Sequence, residues 1–145
     1  MITLQQLIDN YTSSNTDTRL KRRKKTGEFY TPYSIIKKMM DKIEPEMWED
    51  PTKTFLDPAM GNGNIILGIL YRRIAEYGID WRTTLETLYG VELMQDNVDE
   101  TKERIIDLFD KLNIEYDKDV AYEIMNRNLV CSDFFEWDFE NWKHK

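Results

Sequence analysis

A chain of 145 residues with 41% hydrophobic and 12% aromatic residues carries enough apolar material for one packed domain, which excludes an intrinsically disordered chain. The net charge of −7 and a pI near 4.8 argue against a domain that holds duplex DNA by itself, because phosphate neutralisation dominates such binding. One cysteine, Cys131, excludes an internal disulfide, and one histidine, His144, leaves no zinc-site pattern, so no metal is expected. No apolar run approaches the ~18 residues of a membrane span and no secretory leader is visible, so a cytoplasmic chain away from the membrane is expected.

Ile2, Leu4, Leu7, Ile8 and Tyr11 recur close to helical spacing and predict a short amphipathic helix. A polar linker leads into Arg19–Lys25, six basic residues in seven. Such a run is either a solvated segment or an electrostatic docking arm, and the acidity of the remaining chain makes the second role available. In the block Gly27-Glu28-Phe29-Tyr30-Thr31-Pro32, Thr31 is the expected N-cap and Pro32 fits the first helical turn. The helix that follows presents Ile35, Ile36, Met39, Met40 and Ile43 on one face up to about Glu44. Residues 45–53 read as a break, and Thr54-Phe55-Leu56 as the first central strand, buried on both faces.

Asp57-Pro58-Ala59-Met60-Gly61-Asn62-Gly63-Asn64 joins that strand to the apolar run Ile65–Leu70. A strand end, a glycine turn and a helix start are the form of a nucleotide-cofactor loop in a doubly wound α/β fold. The third glycine of the dinucleotide fingerprint is missing, and Asp57 opposes a pyrophosphate held at a helix N-terminus. A carboxylate there suits a cofactor with a cationic ammonium and sulfonium, such as S-adenosylmethionine (SAM). Asp57-Pro58 is also ordinary turn chemistry, and both readings stay open at this point.

The helix after the loop is expected to run to about Tyr77, with Gly78 as its C-cap and Ile79 closing it. A connection carrying Trp81 leads to a second strand ending at Glu92, where an acidic residue accepts hydrogen bonds from ribose hydroxyls. Leu93 and Met94 could flank an adenine ring, although a Met at a helix start also serves as core. Asp96 to Leu112 reads as a second crossover helix, with Val98, Ile105, Leu108, Phe109 and Leu112 inward and Glu103 and Asp107 solvated. Residues 113–126 fit either a short helix or an excursion. Asn128–Phe135 reads as a third strand ending at Asp133, with Cys131 inside it. Asp57, Glu92 and Asp133 thus stand at three consecutive strand ends, where ligands of open α/β sheets bind.

These motifs, in this order and spacing over residues from about 19 to 139, resemble the N-terminal half of a SAM-dependent DNA adenine-N6 methyltransferase of the restriction–modification type. The resemblance implies an incomplete Rossmann-like methyltransferase fold, its first strands and helices preceded by an N-terminal helical segment. Residues 1–26 would form a helix and basic arm, and 27–145 a partial SAM-binding domain. Phe29, Tyr30, Thr31 and Pro32 correspond to the family motif that helps hold the methionine end of SAM. Asp57, Pro58, Ala59, Gly61 and Gly63 correspond to its main cofactor loop, and Glu92 and Leu93 to its ribose-binding strand end. Asp133 corresponds to the residue that meets the adenine amino group, and Phe134 to the ring against it.

The family's catalytic Asn-Pro-Pro-Tyr loop, whose Asn and proline carbonyl grip the flipped base, has no counterpart here. The four prolines are Pro32, Pro45, Pro51 and Pro58, and no two are adjacent. No catalytic residue is therefore assigned. The expectation is a truncated or split methyltransferase that needs a partner. The alternative is a catalytically inactive SAM-binding or decoy module acting on a methyltransferase or restriction complex. DNA binding would be weak or indirect without a recognition domain. A partner chain or a second copy could cover an exposed sheet edge after the third strand.

Overall fold

The computed structural model describes residues 1–11 and 31–145. The basic run Arg19–Lys25 and the expected site residues Phe29 and Tyr30 lie outside the described residues. Helix α1 (Leu4–Asp9) begins with a capping box: Thr3 Oγ1 accepts from Gln6 N–H at 3.1 Å, and Gln6 Oε1 accepts from Thr3 N–H at 2.9 Å. Leu4, Leu7 and Ile8 bury its inner face in the same core as Ile36, Met40 and Leu67.

Helix α2 (Tyr33–Asp41) starts one residue later than the expected cap. Pro32, at φ −72° and ψ 160°, occupies the N-cap position with no side-chain cap, and Thr31 precedes it. The fixed proline φ suits either position, and the extended ψ places Pro32 outside the helix. Residues 45–53 are only partly a break. Pro45 opens a short helix, α3 (Pro45–Glu49), whose Trp48 is buried and stacks on Phe55 at 5.0 Å.

Strands β1 (Phe55–Asp57), β2 (Leu88–Glu92) and β3 (Leu129–Cys131) form a parallel sheet in the order β1-β2-β3. The central strand is therefore β2, not β1. Leu56 of β1 is 47% exposed, which corrects the expectation of burial on both faces. Phe55 N–H donates to Thr87 O of the β2 side at 2.9 Å, so alternation turns the polar backbone of Leu56 away from β2. Among the described residues, both outer strands thus present an edge: the one expected after β3, and a second along β1.

Helix α4 (Asn64–Tyr71) continues into a π-helical turn, Arg72–Glu76, ended by Gly78 at φ 70° with Ile79 N–H donating to Arg73 O at 2.9 Å. The turn sends Arg73 inward. Its guanidinium donates to Thr87 Oγ1 and Asp50 O, each at 2.8 Å, and lies 5.0 Å over the Phe55 ring. Burial pushes its pKa down, and these acceptors meet a charge that water cannot reach.

The Trp81 connection is a helix, α5 (Trp81–Glu86), capped by Asp80 accepting from Thr83 N–H at 2.9 Å. Helix α6 (Gln95–Lys111) buries Val98, Ile105, Leu108 and Phe109 as expected, with Leu112 just beyond its end. Glu103 and Asp107 stay exposed, the latter paired with Lys111 at 2.8 Å. Asn113 then adopts φ 55°, with Asn113 N–H donating to Asp110 O and Ile114 N–H to Phe109 O, the bonds of a Schellman stop. Asn113→Ala is expected to lower stability by about 1 kcal/mol, because Ala lacks the tolerance of Asn for this conformation. A denaturant midpoint checks this.

The undecided stretch 113–126 resolves largely as helix α7 (Lys118–Asn128), capped by Asp117. Strand β3 ends at Cys131, two residues short of the expected Asp133. Beyond it, a single 3₁₀ turn (Phe134–Glu136) precedes the hairpin β4 (Trp137–Asp138) and β5 (Lys143–His144). Trp142 meets Tyr89 and Trp137 edge-to-face at 4.9 and 5.1 Å, and its Nε1 donates to Arg127 O at 2.7 Å. The C-terminal tryptophans thus pack the hairpin onto the domain.

Candidate functional site

The parallel register brings the strand carboxyl ends together by pairing Asp57 with Gly90 and Glu92 with Cys131. Met60 N–H donates to Val91 O and Ser132 N–H to Glu92 O, each at 3.0 Å, extending the sheet bonding past β1 and β3. A cavity of about 250 Å³ opens there. Pro58 and Ala59 line one side, Glu92 and Leu93 the floor strand's end, and Ser132, Asp133, Phe134 and Phe135 the other side. Six of the expected site residues (Pro58, Ala59, Glu92, Leu93, Asp133 and Phe134) therefore meet around one space. A second, smaller cavity of about 30 Å³ shares Ala59 with the first and is lined by Thr31, Gly61 and Asn64 among others. Pro32 and Gly63 line neither cavity: Pro32 caps α2, and Gly63 faces α6.

Asp57, one residue before Pro58, lines neither cavity. It is 8% exposed, its Oδ1 accepts from Ala59 N–H at 3.1 Å, and its Oδ2 is buried without a hydrogen-bond partner among the described residues. Burial, with the nearby Glu92 carboxylate adding to it, raises the Asp57 pKa. The turn reading of Asp57 therefore applies. Its first oxygen shapes the loop, and its second is a buried oxygen that makes ionisation costly.

Glu92 joins the parts of the site. Its Oε1 accepts from Gly61 N–H at 3.3 Å, and its Oε2 accepts from Met94 N–H at 3.1 Å and Asn97 Nδ2 at 3.0 Å. Asp133 caps the 3₁₀ turn, accepting from Phe135 N–H at 2.8 Å, which sets the exposed rings of Phe134 and Phe135 at the rim. Burial and the carboxylates of Glu92, Asp99 and Asp96 push the Cys131 thiol up, and the protonated thiol donates to Leu93 O at 3.3 Å.

Sequence reasoning missed the residues that hold the loop. Arg104 Nη1 donates to Asn62 O at 3.0 Å and to Asn64 Oδ1 at 2.7 Å, and Asn64 Nδ2 donates to Thr31 O at 2.8 Å. The Tyr11 ring covers the Arg104 guanidinium at 3.8 Å, and the Tyr11 hydroxyl donates to Glu100. The available signal was their spacing: Asn97, Thr101 and Arg104 recur on one helical face.

A family model described as N-6 DNA methylase matches residues 7–110, and the chain belongs to that family. Membership makes this a methyltransferase-like protein of the DNA-methylation class, whose members generally use SAM. The match begins within α1, runs through nearly all of α6 and stops before the Ser132–Phe135 wall. Comparison with curated proteins and with solved structures returned no match. Among the described residues, no helix is long and apolar enough to cross a membrane.

Proposed function

We propose that the strand-end cavity binds SAM and that the chain is the cofactor-holding part of a Rossmann-like DNA adenine-N6 methyltransferase. One observation carries this reading. Among the described residues, the cavity lining contains two carboxylates, Glu92 and Asp133, and no cation, and the neighbouring loop residue Asp57 has a buried Oδ2 with no hydrogen-bond partner. Such a site disfavours phosphate and suits a nucleoside bearing positive charge. Leu93 and Phe134 offer apolar surface for an adenine ring, Asp133 an acceptor for its amino group, and Glu92 an acceptor for ribose hydroxyls. Thr31 and Gly61 border the adjoining space toward the methionine end. When bound, SAM supplies an electrophilic methyl group on a sulfonium. The residues named here bind and orient it.

No Pro-Pro pair exists among these residues, so the group that grips the target amine is supplied from outside them. The open edge of β1, beside the cofactor loop, is the place where a further strand extends the sheet toward the cavity. In this reading the protein acts in a restriction–modification setting with a partner segment, and contacts DNA through that partner.

Calorimetric titration with SAM and S-adenosylhomocysteine tests the proposal. Micromolar binding of both is expected, tighter for SAM because of its extra positive charge. A folded protein that binds neither would overturn it. Glu92→Gln is expected to weaken SAM by about 1–1.5 kcal/mol, through loss of a charged acceptor. Unchanged affinity in that titration would remove Glu92 from the site.

A further inference from the structure

Helix α6 presents a polar stripe to the cofactor loop, although a helix packed on a sheet ordinarily turns apolar residues that way. Asn97, Thr101 and Arg104 are 1%, 0% and 5% exposed. Thr101 Oγ1 lies 2.8 Å from Asn97 O and 3.3 Å from Gly61 O, so one hydroxyl proton is shared between its own helix and the loop. Arg104 holds the next carbonyl, Asn62 O, at 3.0 Å. The stripe therefore grips the loop through its carbonyls. Asn97, at its N-terminal end, grips Glu92 instead, and it does so through the side-chain amide.

We propose that Asn97 is a positioning residue that aims Glu92 at the sugar of the bound nucleoside. This rests on the reading of the cavity as a SAM site. A glutamate at a strand end has several free torsions, and left alone it samples many orientations. Here Met94 N–H and Asn97 Nδ2 both bond Oε2, which saturates that oxygen and sets the plane of the carboxylate. A carboxylate offers about four acceptor sites. The one left over is on Oε1, whose single contact is the longest of the set, 3.3 Å to Gly61 N–H. Glu92 lines the cavity, so this remaining site is the acceptor offered to a ligand hydroxyl. Without Asn97 the carboxylate keeps only the Met94 and Gly61 N–H bonds, so the acceptor is held less firmly before the ligand arrives.

The test compares S-adenosylhomocysteine with its 2′,3′-dideoxy counterpart by calorimetry, in the wild-type chain and in Asn97→Ala. The wild-type chain is expected to prefer the ribose form by about tenfold or more, the worth of one charge-assisted hydrogen bond. Asn97→Ala is expected to reduce that preference to below about threefold, with affinity for the dideoxy form kept within about twofold. A purely structural role would weaken both forms equally, and that result would overturn the inference, as would a preference retained in full. Should Ala fail to fold, Asn97→Ser, polar but too short to reach Glu92, serves the same comparison. A wild-type chain that binds neither nucleoside overturns the SAM reading itself, and the inference with it. Binding with an unaltered ribose preference in the variant overturns the role of Asn97 alone.

Discussion

Asp57→Asn is expected to weaken SAM binding by about 2–3 kcal/mol, roughly 30- to 150-fold, while making the unliganded protein more stable. Both effects come from one carboxyl group. Asp57 is 8% exposed, and its Oδ2 has no hydrogen-bond partner among the described residues, so its charged form is held at a cost. Burial first, and the Glu92 charge after it, raise its folded pKa above the ordinary aspartate value. An acid raised on folding is least costly when protonated. Stability is therefore greatest below the unfolded pKa and declines as pH rises from about 4 through the folded value. Asparagine keeps the shape, removes the charge and flattens that decline. Thermal melts across pH 4–8 check it: the variant is expected to melt higher near neutral pH, by about 3 °C for each kcal/mol recovered.

A cationic ligand reverses the balance, because a positive charge close to the cavity wall stabilises the Asp57 carboxylate. SAM binding by the wild-type chain is therefore expected to weaken as pH falls through the raised pKa and to release protons in that range. The pH dependence should be absent in Asp57→Asn. Equal affinity of the two proteins across that range would remove Asp57 from the binding energetics.

Gly63→Ala is expected to cost about 2–4 kcal/mol of stability and to disrupt the cofactor loop. Gly63 sits at φ +98°, outside the range an L-residue adopts without strain. A Cβ there would also meet Thr101 Cγ2 at 2.8 Å and Oγ1 at 2.9 Å. The two contributions separate in a second variant. Thr101→Ser removes the methyl while keeping the hydroxyl that reaches Gly61 O, so in the Gly63→Ala background it is expected to restore about a third to a half of the loss. Chemical denaturation of the single and double variants measures this. No recovery would mean that the Thr101 methyl contributes nothing to the cost, which then lies in backbone strain and the contact with Oγ1.

The loop and the strand ends were legible because their signals are local. A glycine that must turn the chain, a carboxylate at a strand end and an apolar run at helical spacing each occupy a few consecutive residues. Asp57, Gly61, Gly63 and Glu92 were singled out on those grounds, and the inner face of α6 followed from periodicity; of the face expected for α2, Ile36 and Met40 are buried but Ile35 and Met39 are exposed. The family motifs around them led to the methylase family that the match over residues 7–110 shows. The short helix α5 also had a local signal, Asp80 placed as an N-cap, but the stretch around Trp81 lacked a long enough periodic pattern to stand out.

What the tertiary structure decided concerns residues whose partners are distant in the chain. Strand order is not written into any one strand, so only the fold could put β2 in the centre and leave Leu56 of β1 exposed. Arg73 resembles any surface cation until the π-turn directs it onto Thr87 and the Asp50 carbonyl. Asn97, Thr101 and Arg104 were not singled out, because in one dimension a buried polar stripe and a wet one have the same spacing. Their acceptors, Glu92 and the carbonyls of Gly61 and Asn62, come from other elements, and hydrogen bonds made across that distance can bury polar groups that would otherwise face water.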